Sequence, residues 1–139
     1  MEKLHKEKKS YSFKELTEII AELRSAERGC PWDKVQTHES LIPCLRDESE
    51  EVVEAIEKKD LENLCEELGD VLLQVMLHSQ IARENNEFTI DDVINGLCEK
   101  MIRRHPHVFA GTGSLSINDS LIQWEQIKKQ EKEEKSLTK

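Results

Sequence analysis

The stretch that decides the fold of this chain is residues 47–70, which reads DESEEVVEAIEKKDLENLCEELGD. Each end carries two carboxylates three residues apart, Glu48 with Glu51 and Glu67 with Asp70. On an α-helix this spacing places both side chains on one face, about one turn apart. Two such helices packed together bring four carboxylates to one point, where mutual repulsion calls for divalent cations. Hard oxygen ligands favour Mg²⁺, with Mn²⁺ as its substitute, over Zn²⁺.

Acidic pairs also occur on ordinary solvated helix faces, so their position relative to the apolar residues matters. The helix expected around 41–57 has an apolar stripe formed by Leu41, Leu45, Val52 and Ile56. A projection at about 100° per residue places Glu48 inside that stripe and Glu51 at its edge. Glu67 and Asp70 lead into 71–82, a segment that is apolar on nearly every side. Because carboxylates on a buried face are costly unless paired or metal-bound, the pattern favours a metal site.

Length and composition indicate one helical domain in a reducing compartment. The chain has 139 residues, of which 35% are charged and only 4% aromatic. Its net charge of −9 argues against a duplex nucleic-acid binder, whereas small phosphorylated substrates bridged by metal remain compatible. No apolar run reaches the length of a membrane span, and the N-terminus lacks a signal-peptide core. The four cysteines are scattered without a CxxC pair, which is typical of reduced thiols in the cytoplasm.

Capping and breaking residues predict five helices between a mobile lead over 1–11 and a charged tail over 133–139. Ser12 and Glu15 form a capping box for a first helix that should end near Gly29. The second helix is expected over 41–57, and a third begins after Asp60 and reaches residue 84. A fourth begins near residue 89 and ends before Pro106, followed by a loop. The last begins at residue 118 or 120 and fades after residue 132. The prediction is an all-α helical bundle over 12–132, with its site in the core between facing helices.

Two further constellations bear on function. Inward carboxylates in a bundle also suggest a di-iron protein, but that design requires Glu-x-x-His on two helices, and the only such match is Glu2 to His5 in the lead. Lys100, Arg103 and Arg104 close the fourth helix. They either compensate the helix dipole or bind phosphate oxygens, and the two roles are compatible. Trp124 and Lys128, four residues apart, fit either core packing or contacts to a base and a phosphate.

Several segments together resemble the MazG nucleoside triphosphate pyrophosphohydrolases. These are CPWDKVQTH (30–38), the two acidic pairs, KMIRRHPHVF (100–109) and WEQIK (124–128), in the family's order. The resemblance runs from about residue 12 to residue 132. It implies an all-alpha NTP pyrophosphatase-like fold in a single-domain member. It also implies a homodimer or higher homo-oligomer with the active site near the subunit contact.

The activity implied by the resemblance is Mg²⁺-dependent hydrolysis of NTPs or dNTPs between the α and β phosphates, which yields a nucleoside monophosphate and pyrophosphate. The resemblance implies metal binding by Glu48, Glu51, Glu67 and Asp70. It implies nucleotide contacts by Lys100, Arg104, Trp124 and Lys128, with Arg103 adjacent. Asp47 stands where the family usually has a second Glu, and its shorter side chain is expected to orient water. The alternatives are a narrow dUTP or modified-dNTP pyrophosphatase and a non-catalytic helical interaction module.

Overall fold

The computed structural model describes residues 10–137, and its regular elements are all helical. In order they are α1 (Phe13–Leu23), a 3₁₀ turn (Asp33–Val35), α2 (Ile42–Glu57), α3 (Leu61–Glu84), α4 (Ile90–Arg104), α5 (Pro106–Phe109) and α6 (Ile117–Leu137). The all-α class is confirmed, with six α-helices in the described residues where five were predicted. The predicted lead over 1–11 and tail over 133–139 lie partly outside the described residues. Within residues 10–137, no helix has both the length and the apolar character needed to cross a bilayer.

The chain divides after Ile90 into two compact units. In the first unit, α3 packs against both α2 and α1, and its contact with α2 is the larger. The core of this unit is formed by Ile20, Leu41, Met76, Leu77 and Ile81. The predicted apolar stripe of α2 is only partly buried: Leu41 is buried, but Leu45 and Ile56 are 40% and 57% exposed.

Helix starts follow the predicted caps closely. The Ser12 side chain accepts a hydrogen bond from the Glu15 amide, and the Glu15 carboxylate accepts one from the Ser12 amide, each at 3.1 Å. Asp60 caps α3 by accepting from the Asn63 amide at 3.1 Å. Pro43 lies in the first turn of α2, where no intrahelical amide donor is lost. These local contacts satisfy amides that a helix N-terminus otherwise leaves unpaired.

The predicted end of α1 near Gly29 is wrong, because α1 ends at Leu23. The next residue, Arg24, donates hydrogen bonds to the carbonyls of Asp33 and Gln36 at 2.6 and 3.1 Å and forms an ion pair with Glu84 at 2.9 Å. These contacts hold the chain in a tight loop after Leu23. Gly29 closes that loop, and a Cβ there would collide with backbone carbonyl oxygens.

The second unit contains α4 from Asp91 onward, α5 and α6, and none of these helices has a buried residue among those described. Even the apolar Leu97 of α4 is 53% exposed. The loop expected after His105 instead begins with the short helix α5, whose first residue is Pro106. The predicted end of α6 after Lys132 is also wrong, because the helix continues to Leu137.

Candidate functional site

Four carboxylates from α2 and α3 converge in the first unit. Glu48 and Glu51 come from α2, Glu67 and Asp70 come from α3, and one oxygen from each lies within 4.8 Å of the others. The i, i+3 spacing places each pair on one face of its helix, and the packing of α2 against α3 brings the two faces together. Asp47, the fifth predicted acidic residue, is exposed and lies outside this set of four.

The carboxylate cluster is under electrostatic strain. Burial raises the pKa of Glu48, and the charges of Glu51 and Asp70 raise it further. A hydrogen bond with Glu51, burial and the neighbouring charges raise the pKa of Glu67 to about 7. Such shifts arise when like charges share a site, because the protonated form is then favoured.

Several buried oxygens in and beside this cluster have no hydrogen-bond partner among the described residues. Among the described residues, Glu48 Oε2 and Glu67 Oε2 are buried and have no hydrogen-bond partner. Gln74, one turn beyond Asp70 on α3, is 4% exposed, and its Oε1 is likewise unpartnered. An unsatisfied buried oxygen is unfavourable unless something binds it. Four hard oxygen donors at this spacing fit Mg²⁺ or Mn²⁺, so the residues present suit the cation that the sequence predicts.

A basic cluster lies in the second unit. Lys100, Arg103 and Arg104 follow one another along the last turns of α4 and line a groove of about 880 Å³ that is also bordered by α6. The guanidinium of Arg104 lies 4.8 Å from the ring centroid of Trp124 on α6, a cation–π contact. Lys128 does not line the groove, and its Nζ is 3.8 Å from Glu125. The structure therefore brings Trp124 against Arg104 but pairs Lys128 with Glu125 of its own helix.

Glu131 is a residue of this cluster that the sequence reasoning missed. Its carboxylate accepts a hydrogen bond from Arg103 Nε at 2.6 Å and one from Arg104 Nη2 at 2.7 Å. The hydrogen bonds and charges of the two arginines hold the pKa of Glu131 down to about 2. Glu131 follows Trp124 by two helical turns, so both lie on one face of α6. This seven-residue spacing from Trp124 is the sequence feature that could have identified Glu131.

A histidine pair in the first unit was also missed. His38 Nδ1 and His78 Nδ1 lie 2.8 Å apart, and the two rings are stacked with centroids 5.1 Å apart. His38 Nε2 contacts Glu87 at 3.1 Å. Since one of the two Nδ1 atoms must donate and the other accept, both rings cannot be protonated in this geometry. Burial and the neighbouring His38 lower the pKa of His78.

Comparison with known proteins finds a matching family model and relatives that align over most of the chain. The family model of the MazG nucleotide pyrophosphohydrolase domain matches residues 36–109, more than half of the chain. A Thermotoga maritima protein named nucleoside triphosphate pyrophosphohydrolase/pyrophosphatase MazG is 56% identical over 88% of this chain and 46% of its own length. The Bacillus subtilis protein YabN is 53% identical over 88% of this chain and 25% of its own length. The chain thus spans between a quarter and a half of these relatives.

Structural similarity leads to the same family. The crystal structure of a mazG-related protein from Thermotoga maritima superimposes with a TM-score of 0.68 at 34% sequence identity. The match covers 84% of this chain and 98% of that one, so the shared fold extends over nearly all of the solved protein. The chain belongs to the MazG nucleotide pyrophosphohydrolase family.

Proposed function

We propose that this protein hydrolyses nucleoside triphosphates, NTPs or dNTPs, between the α and β phosphates in a Mg²⁺-dependent reaction that yields a nucleoside monophosphate and pyrophosphate. The observation that carries the proposal is the set of four carboxylates with ligand oxygens within 4.8 Å of one another. Two of those carboxylates hold buried oxygens without partners in the described chain, as expected of ligands that await a cation. Membership in the MazG family supports the reaction class.

Glu48, Glu51, Glu67 and Asp70 would hold the cation. When bound, a divalent cation in such a site lowers the pKa of coordinated water and neutralises polyphosphate charge. Asp47 and Glu51 are exposed acids at or beside the cluster on α2, and we propose that one of them accepts the proton of the attacking water. A carboxylate can do this when it lies within hydrogen-bond reach of that water.

Lys100 and Arg104 are proposed to bind the phosphates and stabilise charge on the departing pyrophosphate. Arg103 adds a second guanidinium beside Arg104. Trp124 is proposed to pack against the nucleotide, and Lys128 to reach a phosphate by releasing its weak contact with Glu125. That pair spans 3.8 Å on an exposed helix face, so releasing it costs little.

We also propose that the protein functions as a homodimer in the cytoplasm. Leu68, Leu72 and Val75 of α3 are 51%, 43% and 38% exposed, and their i, i+4, i+7 spacing places them on one helix face. A contiguous apolar helix face of this kind normally packs against another surface. A second copy of the chain would cover it with the matching face of its own α3, as two-fold interfaces do.

The test is pyrophosphate release from a panel of canonical, deoxy- and modified nucleoside triphosphates, with Mg²⁺ and with EDTA. We expect Mg²⁺-dependent release with equimolar nucleoside monophosphate and no free phosphate. Activity confined to dUTP or a modified dNTP would identify a narrower enzyme. Release of phosphate and a nucleoside diphosphate would contradict cleavage between the α and β phosphates. No turnover of any nucleotide would leave the interaction-module alternative.

A further inference from the structure

The carboxylate of Glu131 binds both arginines of the basic cluster, Arg103 and Arg104, and uses both of its oxygens. Its Oε2 accepts from Arg103 Nε at 2.6 Å, and its Oε1 accepts from Arg104 Nη2 at 2.7 Å and from Arg104 Nε at 3.2 Å. The side chains of Arg104 and Glu131 are only 14% and 16% exposed, which limits competition from water. Charge-assisted bonds of this length are among the stronger hydrogen bonds in proteins.

The way in which Glu131 binds Arg104 leaves a specific part of the guanidinium available. A guanidinium offers two edges for bidentate binding, one formed by Nε and an Nη and the other by the two Nη atoms. Glu131 occupies the first edge of Arg104, whereas Nη1 has no hydrogen-bond partner among residues 10–137. Trp124 covers one face of the same group at 4.8 Å. Rotation about the side-chain axis is thereby restricted, and the Nη edge keeps a fixed direction.

We propose that Glu131 is a positioning residue that orients Arg104 so that its Nη edge binds the phosphates of the substrate. This inference rests on the proposed function of the basic cluster. Glu131 contacts the Nε–Nη2 edge of Arg104 and leaves the adjacent Nη1–Nη2 edge for phosphate, so it does not take the place of the ligand. The groove beside it, about 880 Å³, is lined by Lys100, Arg103 and Arg104 together with Glu131. This volume is ample for a pyrophosphate group.

The loss expected on removing Glu131 is moderate. A misdirected binding group can cost about 100-fold, but Lys100 and Arg103 would still attract the phosphates, so we expect about tenfold. Glu131→Gln keeps the shape of the side chain and one acceptor oxygen but loses the charge. Glu131→Asp keeps the charge on a shorter side chain and should recover part of the loss. The matched control is Glu133→Gln, which removes one charge from an exposed position on the same helix.

The experiment measures binding of inorganic pyrophosphate with Mg²⁺ by calorimetry, alongside kcat and KM for the best nucleotide of the panel. Glu131→Gln should weaken pyrophosphate binding and raise KM by about tenfold, with Glu133→Gln near wild type. In the Arg104→Lys background the Glu131 substitution should add little, because lysine has no second edge to orient. Thermal unfolding verifies that each variant is folded. If Glu131→Gln does not fold, Glu131→Asp takes its place in the binding and kinetic measurements.

Three results would overturn the inference. They are unchanged or tighter pyrophosphate binding in Glu131→Gln, full additivity with Arg104→Lys, or an equal loss in Glu133→Gln. Absence of pyrophosphate binding by the wild-type protein would overturn it as well. Failure of the proposed function is a separate outcome, because it appears as absent nucleotide turnover in the wild-type protein even where pyrophosphate binds.

Discussion

Replacing Asp70 with Asn should stabilise the metal-free protein while removing its response to Mg²⁺. Ligand oxygens of Asp70 lie within 4.8 Å of those of Glu48, Glu51 and Glu67. Two unit charges at this separation repel by roughly 1 kcal/mol in water and by more in a partly buried site. Removing these three repulsions should therefore increase the free energy of unfolding by about 2 to 3 kcal/mol. For a domain of this size that raises Tm by about 4 °C per kcal/mol.

Mg²⁺ should stabilise the wild-type protein much more than the Asp70→Asn variant. A ligand that binds only the folded state at 100 times its Kd stabilises by about 2.7 kcal/mol, so the wild-type Tm should rise by about 10 °C. Asp70→Asn lacks one charged ligand and should lose most of this rise. The assay is thermal unfolding in EDTA and in excess Mg²⁺ at about pH 8, where Glu67, with its pKa of about 7, is mostly ionised.

The matched control for this experiment is Glu50→Gln. Glu50 lies on the same helix segment as Glu48 and Glu51, is exposed, and does not belong to the cluster. The Glu50→Gln substitution also removes one negative charge from a chain of net charge −9. Any general stabilisation that comes from the lower net charge therefore appears in both variants. The metal assignment would be refuted if Asp70→Asn kept the wild-type Mg²⁺ response. A loss of stability in EDTA would refute the repulsion argument.

Three other predictions address the remaining proposals. Lys100→Ala and Arg104→Ala should each lower kcat/KM by about 100-fold in steady-state assays. Arg104→Lys should recover only part of the loss, because an ammonium cannot bind two oxygens in a fork. Wild-type kinetics in the alanine variants would contradict the phosphate role. Leu72→Glu should convert a dimer to a monomer in sedimentation, and a wild-type monomer at micromolar concentration would exclude the dimer. Because burial and His38 lower the pKa of His78 below 6.5, its contribution to stability is present above pH 6.5 and is lost as pH falls through the folded-state pKa. The unfolding midpoint of His78→Gln should accordingly depend less on pH between about 7 and 5, and equal dependence in both proteins would contradict this.

The parts of the structure that could be predicted from the sequence are those fixed by residues close together in the chain. The capping contacts of Ser12 and Asp60 join residues three apart, so the starts of α1 and α3 were evident. The i, i+3 acidic pairs likewise specify a shared helix face. To predict that the two acidic pairs converge, one must also assume that α2 and α3 pack as antiparallel neighbours. The short connection between Glu57 and Leu61 makes that assumption reasonable.

The features that could not be predicted depend on partners far apart in the sequence. Arg24, the residue that follows α1, forms an ion pair with Glu84, 60 residues away. No local sequence pattern predicts this pair. Glu131 lies 28 residues from Arg103 within a run of charges that resembles a solvated tail. The same charged run is also the reason why the predicted end of α6, after residue 132, lies before the observed end at Leu137. Charged residues carry no periodic apolar signal, so their pairing is visible only once the helices are in place.

The position of the carboxylate cluster also explains how the protein tolerates it without a cation. The acids lie on α2 and α3, the helices with the most extensive contact in the first unit. Leu41, Met76 and Leu77 are fully buried in the same unit, and each such side chain contributes about 2 kcal/mol. Four charges form six pairs, so their total repulsion, at roughly 1 kcal/mol a pair in water, is of the same size as the contribution of these three side chains. The core can thus hold the ligands close together in advance of the metal, which favours tight binding because little ordering remains to be done. It follows that the EDTA-treated protein should unfold in a cooperative transition, and that Mg²⁺ should raise its midpoint without changing its helical content.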